Sequence, residues 1–183
     1  FDARVRMYLI SAIGAFTGFA MVQQTLAFRL QDTLGLTGTE TAQHAGLAMM
    51  ASAACSLFMQ MLIAQRFNGP PVQLVRWGAG LLAIGTISIS ALDSWTAILS
   101  CMALIGAGLG LLLPAVAAGA SLAVGPEEQG GVSGLVSACP AAGFVLGPIS
   151  GGFLYQQNGP EAAWGAALIL VVVFLSTLRP MRQ

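Results

Sequence analysis

Six uncharged stretches, separated by scarce arginines and acids, constrain this chain more than any motif within it. They run over Met7–Phe28, Thr41–Gln65, Trp77–Leu92, Ser94–Pro126, Gln129–Pro160 and Ala162–Leu178. A helix needs about 20 mostly apolar residues to cross a bilayer core, so each stretch is long enough for one crossing. The third and sixth are short, and reach that length if Arg76 and Arg179 snorkel to the headgroups. The arginines then alternate by side. Arg4 and Arg6 precede the first span, Arg66 and Arg76 bracket the second connection, and Arg179 and Arg182 follow the sixth. Only Arg29 falls on the other side. Excess arginine marks cytoplasmic segments, which places both termini in the cytoplasm and requires an even number of crossings. The chain is expected to be an all-α, multi-pass membrane protein with spans at about 5–28, 41–65, 73–92, 95–123, 128–155 and 161–179, forming a single six-helix bundle.

Composition excludes the other classes. Charged residues are 8% of the chain against 56% hydrophobic, whereas soluble domains carry about 25% charged residues. The formal net charge of zero and the lack of a basic cluster give no footing for nucleic acid. Cys55, Cys101 and Cys139 fall inside spans without paired polar spacing, so they are read as packing residues, and neither a metal nor another cofactor is expected. Hydrolysis within the membrane needs a nucleophile with a base, paired acids or metal ligands. One histidine and no acid at mid-membrane argue against an enzyme. Because the chain begins with Phe1 rather than Met, residues are expected to precede it.

The connections read as turns. Arg29–Glu40 and Asp93-Ser94 should be external, Asn68-Gly69-Pro70-Pro71 internal, and Gln156–Pro160 external. Gly125-Pro126-Glu127-Glu128 should open the fifth span from the cytoplasm, with two acids in its first turn near the exposed amides. Small residues crowd the fourth and fifth spans. Gly106, Gly108 and Gly110 precede Pro114, and Gly143, Gly147 and Gly151 recur every fourth residue beside Pro148 and Gly152. Helices in lipid associate through close backbone approach at small residues, so these positions are expected to serve packing and bending.

Gly143-Phe-Val-Leu-Gly147-Pro148-Ile-Ser-Gly151-Gly152 resembles the G-x-x-x-G-P-x-x-G-G signature of major facilitator superfamily transporters, best known from drug–proton antiporters. Pro126–Leu135 is similar to that family's P-E-E-x-x-G-x-x-S-G-L pattern, short by one residue. Ile63–Phe67 sits where the family carries an L-x-D-R-x-G-R-type loop, in degenerate form. The signature normally lies in the fifth helix. However, the loop here lacks the acid and the second arginine, and span four lacks the embedded arginine typical of the first half. The resemblance therefore implies the carboxy-terminal six-helix half of a twelve-helix fold, whose partner would be an amino-terminal half.

The same resemblance implies secondary transport of small molecules by alternating access, with efflux of drugs or other amphipathic compounds by proton antiport, in a bacterial inner membrane. A solute importer of the superfamily and a non-transporting six-helix scaffold or sensor are the alternatives. The acids all lie near span ends, so a proton carrier is expected in the other half, with His44 the candidate here. Uncharged polar groups inside spans are the substrate-path candidates: Gln23 and Gln24 in span one, and Ser52, Ser56 and Gln60, four apart on one face of span two. Interhelical bonding is the alternative role for each. Met49, Met50, Met59 and Met61 could add adaptable apolar contacts. Arg66 is the candidate for a cytoplasmic gate latch, with headgroup anchoring the alternative.

Overall fold

The computed structural model describes residues 3–64, 66–159 and 163–178. Among these residues the chain forms six α-helices and no strand: α1 (Ala3–Leu34), α2 (Gly38–Met59), α3 (Pro71–Ala91), α4 (Trp95–Leu122), α5 (Gln129–Asn158) and α6 (Ala163–Leu178). The first five are long and apolar enough to span a bilayer, and α6 contains a shorter apolar stretch, Trp164–Thr177. Arg179, Arg182, Gln65 and Glu161 lie outside the described residues.

Helix ends follow local chemistry. After α1, Gly35 adopts φ 64° and its N–H donates to Gln31 O at 2.9 Å, a left-handed cap that costs little only for glycine. Glu40 then holds the start of α2: its Oε2 accepts from the Thr37 backbone N–H at 3.0 Å and from the Thr37 hydroxyl at 2.8 Å. Pro71 occupies the first turn of α3, where its missing N–H removes no helical bond. Ser94 caps α4 by accepting the Ala97 N–H at 3.4 Å.

Four expectations about the connections need correction, the smallest being that Gln156–Asn158, expected in a turn, belong to the end of α5. The segment expected as a twelve-residue external loop is mostly helix. With α1 continuing to Leu34, only residues 35–37 separate it from α2, and Arg29 and Asp32 are helical. The charge at Arg29 misled because a partner outside its own helix accommodates it. Glu127 and Glu128 precede α5 instead of filling its first turn: Glu128 is the N-cap and its N–H closes a turn on Gly125 O at 3.0 Å. Arg76, expected to reach toward headgroups, turns inward, and its Nε donates to Thr177 O at 2.7 Å. That carbonyl lies in the last described turn of α6, where a cation also meets the negative end of the helix dipole.

The helices pack in the lateral order α2, α4, α3, α6, α1, α5, and α4 also touches α1 and α5 through the middle of the bundle. The core gathers Met21, Leu26, Leu82, Ile98, Met102, Ile105, Leu112 and Leu170. Lipid tails are as apolar as these side chains, so burial alone does not drive the helices together, and fit decides. A Cβ on Gly106 would overlap the Ser52 carbonyl of α2, and one on Gly110 the Ser56 carbonyl one turn on. On the other side of α4, Gly108 meets Gly78, where a Cβ would lie 2.7 Å from Gly78 O. Gly143, Gly147 and Gly151 form the face of α5 that rests on Phe16, Thr17, Ala20 and Met21 of α1. The four-residue glycine spacing thus maps onto one helix crossing. Gly152 faces open space instead. Both α4 and α5 stay helical through Pro114, Pro140 and Pro148.

Gly147→Leu should force α5 away from Ala20 and Thr17, and Gly106→Val should force α4 off α2. Overpacking of this kind costs about 1–3 kcal/mol, so both should lower the yield of monodisperse protein in size-exclusion chromatography. Gly46→Ala, where a Cβ meets nothing within 4 Å, serves as the control and should elute unchanged.

Candidate functional site

The substrate-path candidates occupy two places. Gln23 and Gln24 are exposed on α1, with Gln24 ten residues, about 15 Å, in from the outer end at Leu34. Gln23 follows Phe16 and Phe19 by seven and four residues and so shares their face. Both rings meet Phe144 of α5, at centroid separations of 6.1 and 6.5 Å. Gln24 lies on the next face, in line with Phe28, whose ring sits 5.5 Å from that of Tyr155. Two neutral amides are thereby set against an aromatic wall shared by α1 and α5. Such a surface suits a ligand with apolar bulk and a few hydrogen-bonding groups.

Ser52, Ser56 and Gln60 do share one face of α2, which is turned toward α4. Ser52 is buried there against Gly106, and the Gln60 Nε2 donates to Ser56 Oγ at 3.2 Å. That amide has found a partner within its own helix. At Gln60 the helix widens into a π turn, Gln60–Ala64, a local irregularity that often accompanies functional positions. Met50 on α2 and Met61 in the π turn are exposed, while Met49 and Met59 pack against the core. Arg66 is exposed in the turn that follows, and its backbone N–H bonds Ile63 O at 3.1 Å. Next to it, Phe67 folds edge-on against Trp77 at 5.3 Å, giving the turn an aromatic clasp.

His44, the proton candidate of the sequence, makes local bonds. Its Nδ1 lies 2.8 Å from Glu40 O and its ring packs edge-on at 4.5 Å against Trp95 of α4. These are the surroundings of an interfacial structural histidine. Among the described residues no group of three or more His, Cys, Asp and Glu side chains could hold a metal ion.

Polar contacts at the outer end went unforeseen. Arg29 is 4% exposed, and its Nη2 donates to Asp93 Oδ1 at 2.9 Å and to Leu92 O at 3.4 Å, tying α1 to the α3–α4 turn. Nearby, the Tyr155 hydroxyl donates to Asp32 Oδ2, tying α1 to α5. The sequence carried a faint signal for the first contact: Arg29 is the one external arginine, and Asp93 lies in the external turn that faces it. For the aromatic wall the signal was the spacing of Phe16, Phe19 and Gln23. Nothing local pointed to Phe144 as their partner.

A family model of the Major Facilitator Superfamily matches residues 8–182. The chain is 27% identical over 173 residues to multidrug resistance protein 1 of Bacillus subtilis (strain 168), covering 93% of this chain and 43% of that protein. In fold it is similar to the POT family transporter PepTSo, with TM-score 0.83, 16% identity, and coverage of 97% of this chain and 37% of that one. The peptide transporter POT in complex with alafosfalin gives TM-score 0.79 at 18% identity, with coverage of 95% and 37%. The chain therefore spans less than half the length of each of these proteins.

Asp93→Asn should remove the ion pair between Arg29 and Asp93. With Asp93 itself 68% exposed, the cost should be modest, about 1–2 kcal/mol, and the thermal unfolding midpoint should drop by a few degrees. An unchanged midpoint would show that the pair contributes nothing to stability. The spans, their glycine-mediated crossings and the match over residues 8–182 lead to one assignment: this multi-pass membrane chain belongs to the Major Facilitator Superfamily.

Proposed function

We infer that the chain is one six-helix half, the carboxy-terminal one, of a secondary transporter that moves small molecules by alternating access. The observation that carries this is the unequal covering of the helices. In their most apolar windows, α1, α3 and α4 are 50–56% buried, but α5 is 22% and α2 only 11% buried. These two helices terminate the lateral order, and both carry rows of exposed large side chains, among them Met50, Leu57 and Phe58 on α2 and Phe144, Ile149 and Phe153 on α5. A matching bundle lying against α2 and α5 would enclose a cavity between the halves, and rocking about it would expose the cavity to either side in turn. The fractional length against all three relatives supports the same arrangement.

Efflux of amphipathic compounds by proton antiport is the favoured activity, in a bacterial cytoplasmic membrane. The Bacillus relative's name supports it, and so does the wall formed by Phe16, Phe19, Phe144, Gln23 and Gln24, which offers broad apolar contact and no fixed charge. Asp32, Glu40 and Asp93 are engaged in contacts near helix ends, and the proton carrier is assigned to the other half.

Intact transporter reconstituted in vesicles should move a lipophilic dye when a pH gradient is imposed and stop when an ionophore collapses it. Transport indifferent to the ionophore defeats antiport. In the same assay Gln24→Ala should shift the preference between two dyes by roughly fivefold, the value of one hydrogen bond of about 1 kcal/mol, with expression intact. Lost expression would mark the amide as structural.

A further inference from the structure

The flank of the bundle between α1 and α6 holds a groove that the transport cycle described above does not use. Its volume is about 390 Å³, and it is lined by Ile10, Ile13 and Gly14 of α1 with Leu168, Ile169, Val172 and Val173 of α6. Every lining residue is apolar or glycine. Ile10, Leu168 and Val172 are more than half exposed, so the groove opens outward from the bundle. Its floor exists because Gly14 lacks a side chain: a Cβ there would overlap Val173 Cγ2.

One turn before Ile10, on the same helix face, stands Arg6, which is exposed and makes no ion pair among the described residues. Eight residues separate Arg6 from Gly14, about 12 Å along the helix. That is less than half of the roughly 30 Å hydrocarbon core, so with Arg6 at the cytoplasmic headgroups the α1 wall of the groove lies within the cytoplasmic leaflet, and the α6 wall at Leu168 and Ile169 reaches to about the midplane. The polarity of α6 agrees. Leu170 packs on Gly18 and Val173 on Gly14, so α6 descends toward the side from which α1 rises.

The geometry points to a binding site for an anionic phospholipid of the cytoplasmic leaflet, with one acyl chain in the α1–α6 groove and the phosphate on Arg6. A slot lined without polar side chains offers an acyl chain dispersion contact on both walls. An exposed arginine at its mouth offers charge-assisted hydrogen bonds to phosphate oxygens. Basic residues at the mouth of an interhelical groove on the cytoplasmic side are a recurrent basis for selecting anionic headgroups.

The test is native mass spectrometry of the intact transporter in detergent, titrated with phosphatidylglycerol or phosphatidylcholine of matched chains. Phosphatidylglycerol should bind about fivefold more tightly, the factor corresponding to roughly 1 kcal/mol for one basic residue at an anionic surface. Arg6→Gln should erase that preference while Arg6→Lys keeps most of it, and Val172→Trp, which fills the groove from an exposed position, should weaken both lipids about tenfold. Equal affinity for the two lipids in the parent protein overturns the proposal. So does a preference that survives Arg6→Gln, or lipid binding indifferent to Val172→Trp. Failure to retain either lipid would also overturn it, pointing to a groove covered by protein. Lipid retention is read independently of transport, so the two proposals fail separately.

Discussion

Backbone-to-backbone approach at glycine is the contact on which the rest of this bundle depends. In water a helix is held to its neighbours largely by removing apolar surface from solvent. In hydrocarbon that term vanishes, and short-range dispersion and fit must carry association. Here α4 is the hub. It lays Gly106 and Gly110 on the Ser52 and Ser56 carbonyls of α2, and Gly108 against Gly78 of α3. The α1–α5 crossing repeats the solution with Gly143 and Gly147. Each crossing brings two helices close enough for long rows of side chains to interdigitate, at the expense of tolerating no added methyl group.

Polar contacts complete what glycine packing begins, and they lie at the ends of the helices. Arg29 with Asp93 and Tyr155 with Asp32 hold the outer end of α1 to two different neighbours. Arg76 holds the inner end of α6 by bonding Thr177 O. Placing charge at helix termini avoids the large cost of an ion at the bilayer centre and lets arginine satisfy carbonyls that the helix itself leaves open. It also leaves the middle of the α1–α5 face to phenylalanine and glutamine, side chains able to meet ligands of varied shape.

Membership of the Major Facilitator Superfamily and the bareness of α2 and α5 fit together physically. A helix that is one-tenth to one-fifth buried in its own bundle has a face available to something else. Lipid could cover such a face. A second bundle covering it by transient contact is what alternating access would require, because a permanent, tightly knobbed interface could not open. The α1–α6 flank differs in kind, with an exposed arginine, Arg6, one turn from an apolar slot.

The number of helices and the glycine-lined face of α5 could be read from the chain alone, although α1 runs six residues past its expected end. Each follows from a local rule: twenty apolar residues make a span, arginine marks a side, and a four-residue glycine repeat makes a flat face. Even the shared face of Ser52, Ser56 and Gln60 is helical arithmetic. Which neighbour each face would meet was not legible. That Gly106 would sit on Ser52, that Phe144 would join Phe16 and Phe19, and that Arg29 would be buried inside α1 instead of marking a loop all depend on pairings far apart in sequence. Periodicity reports the direction of a side chain from its own helix axis and carries no information about what lies beyond it. Tertiary packing alone decides whether an outward-facing polar group finds a partner, a ligand or lipid.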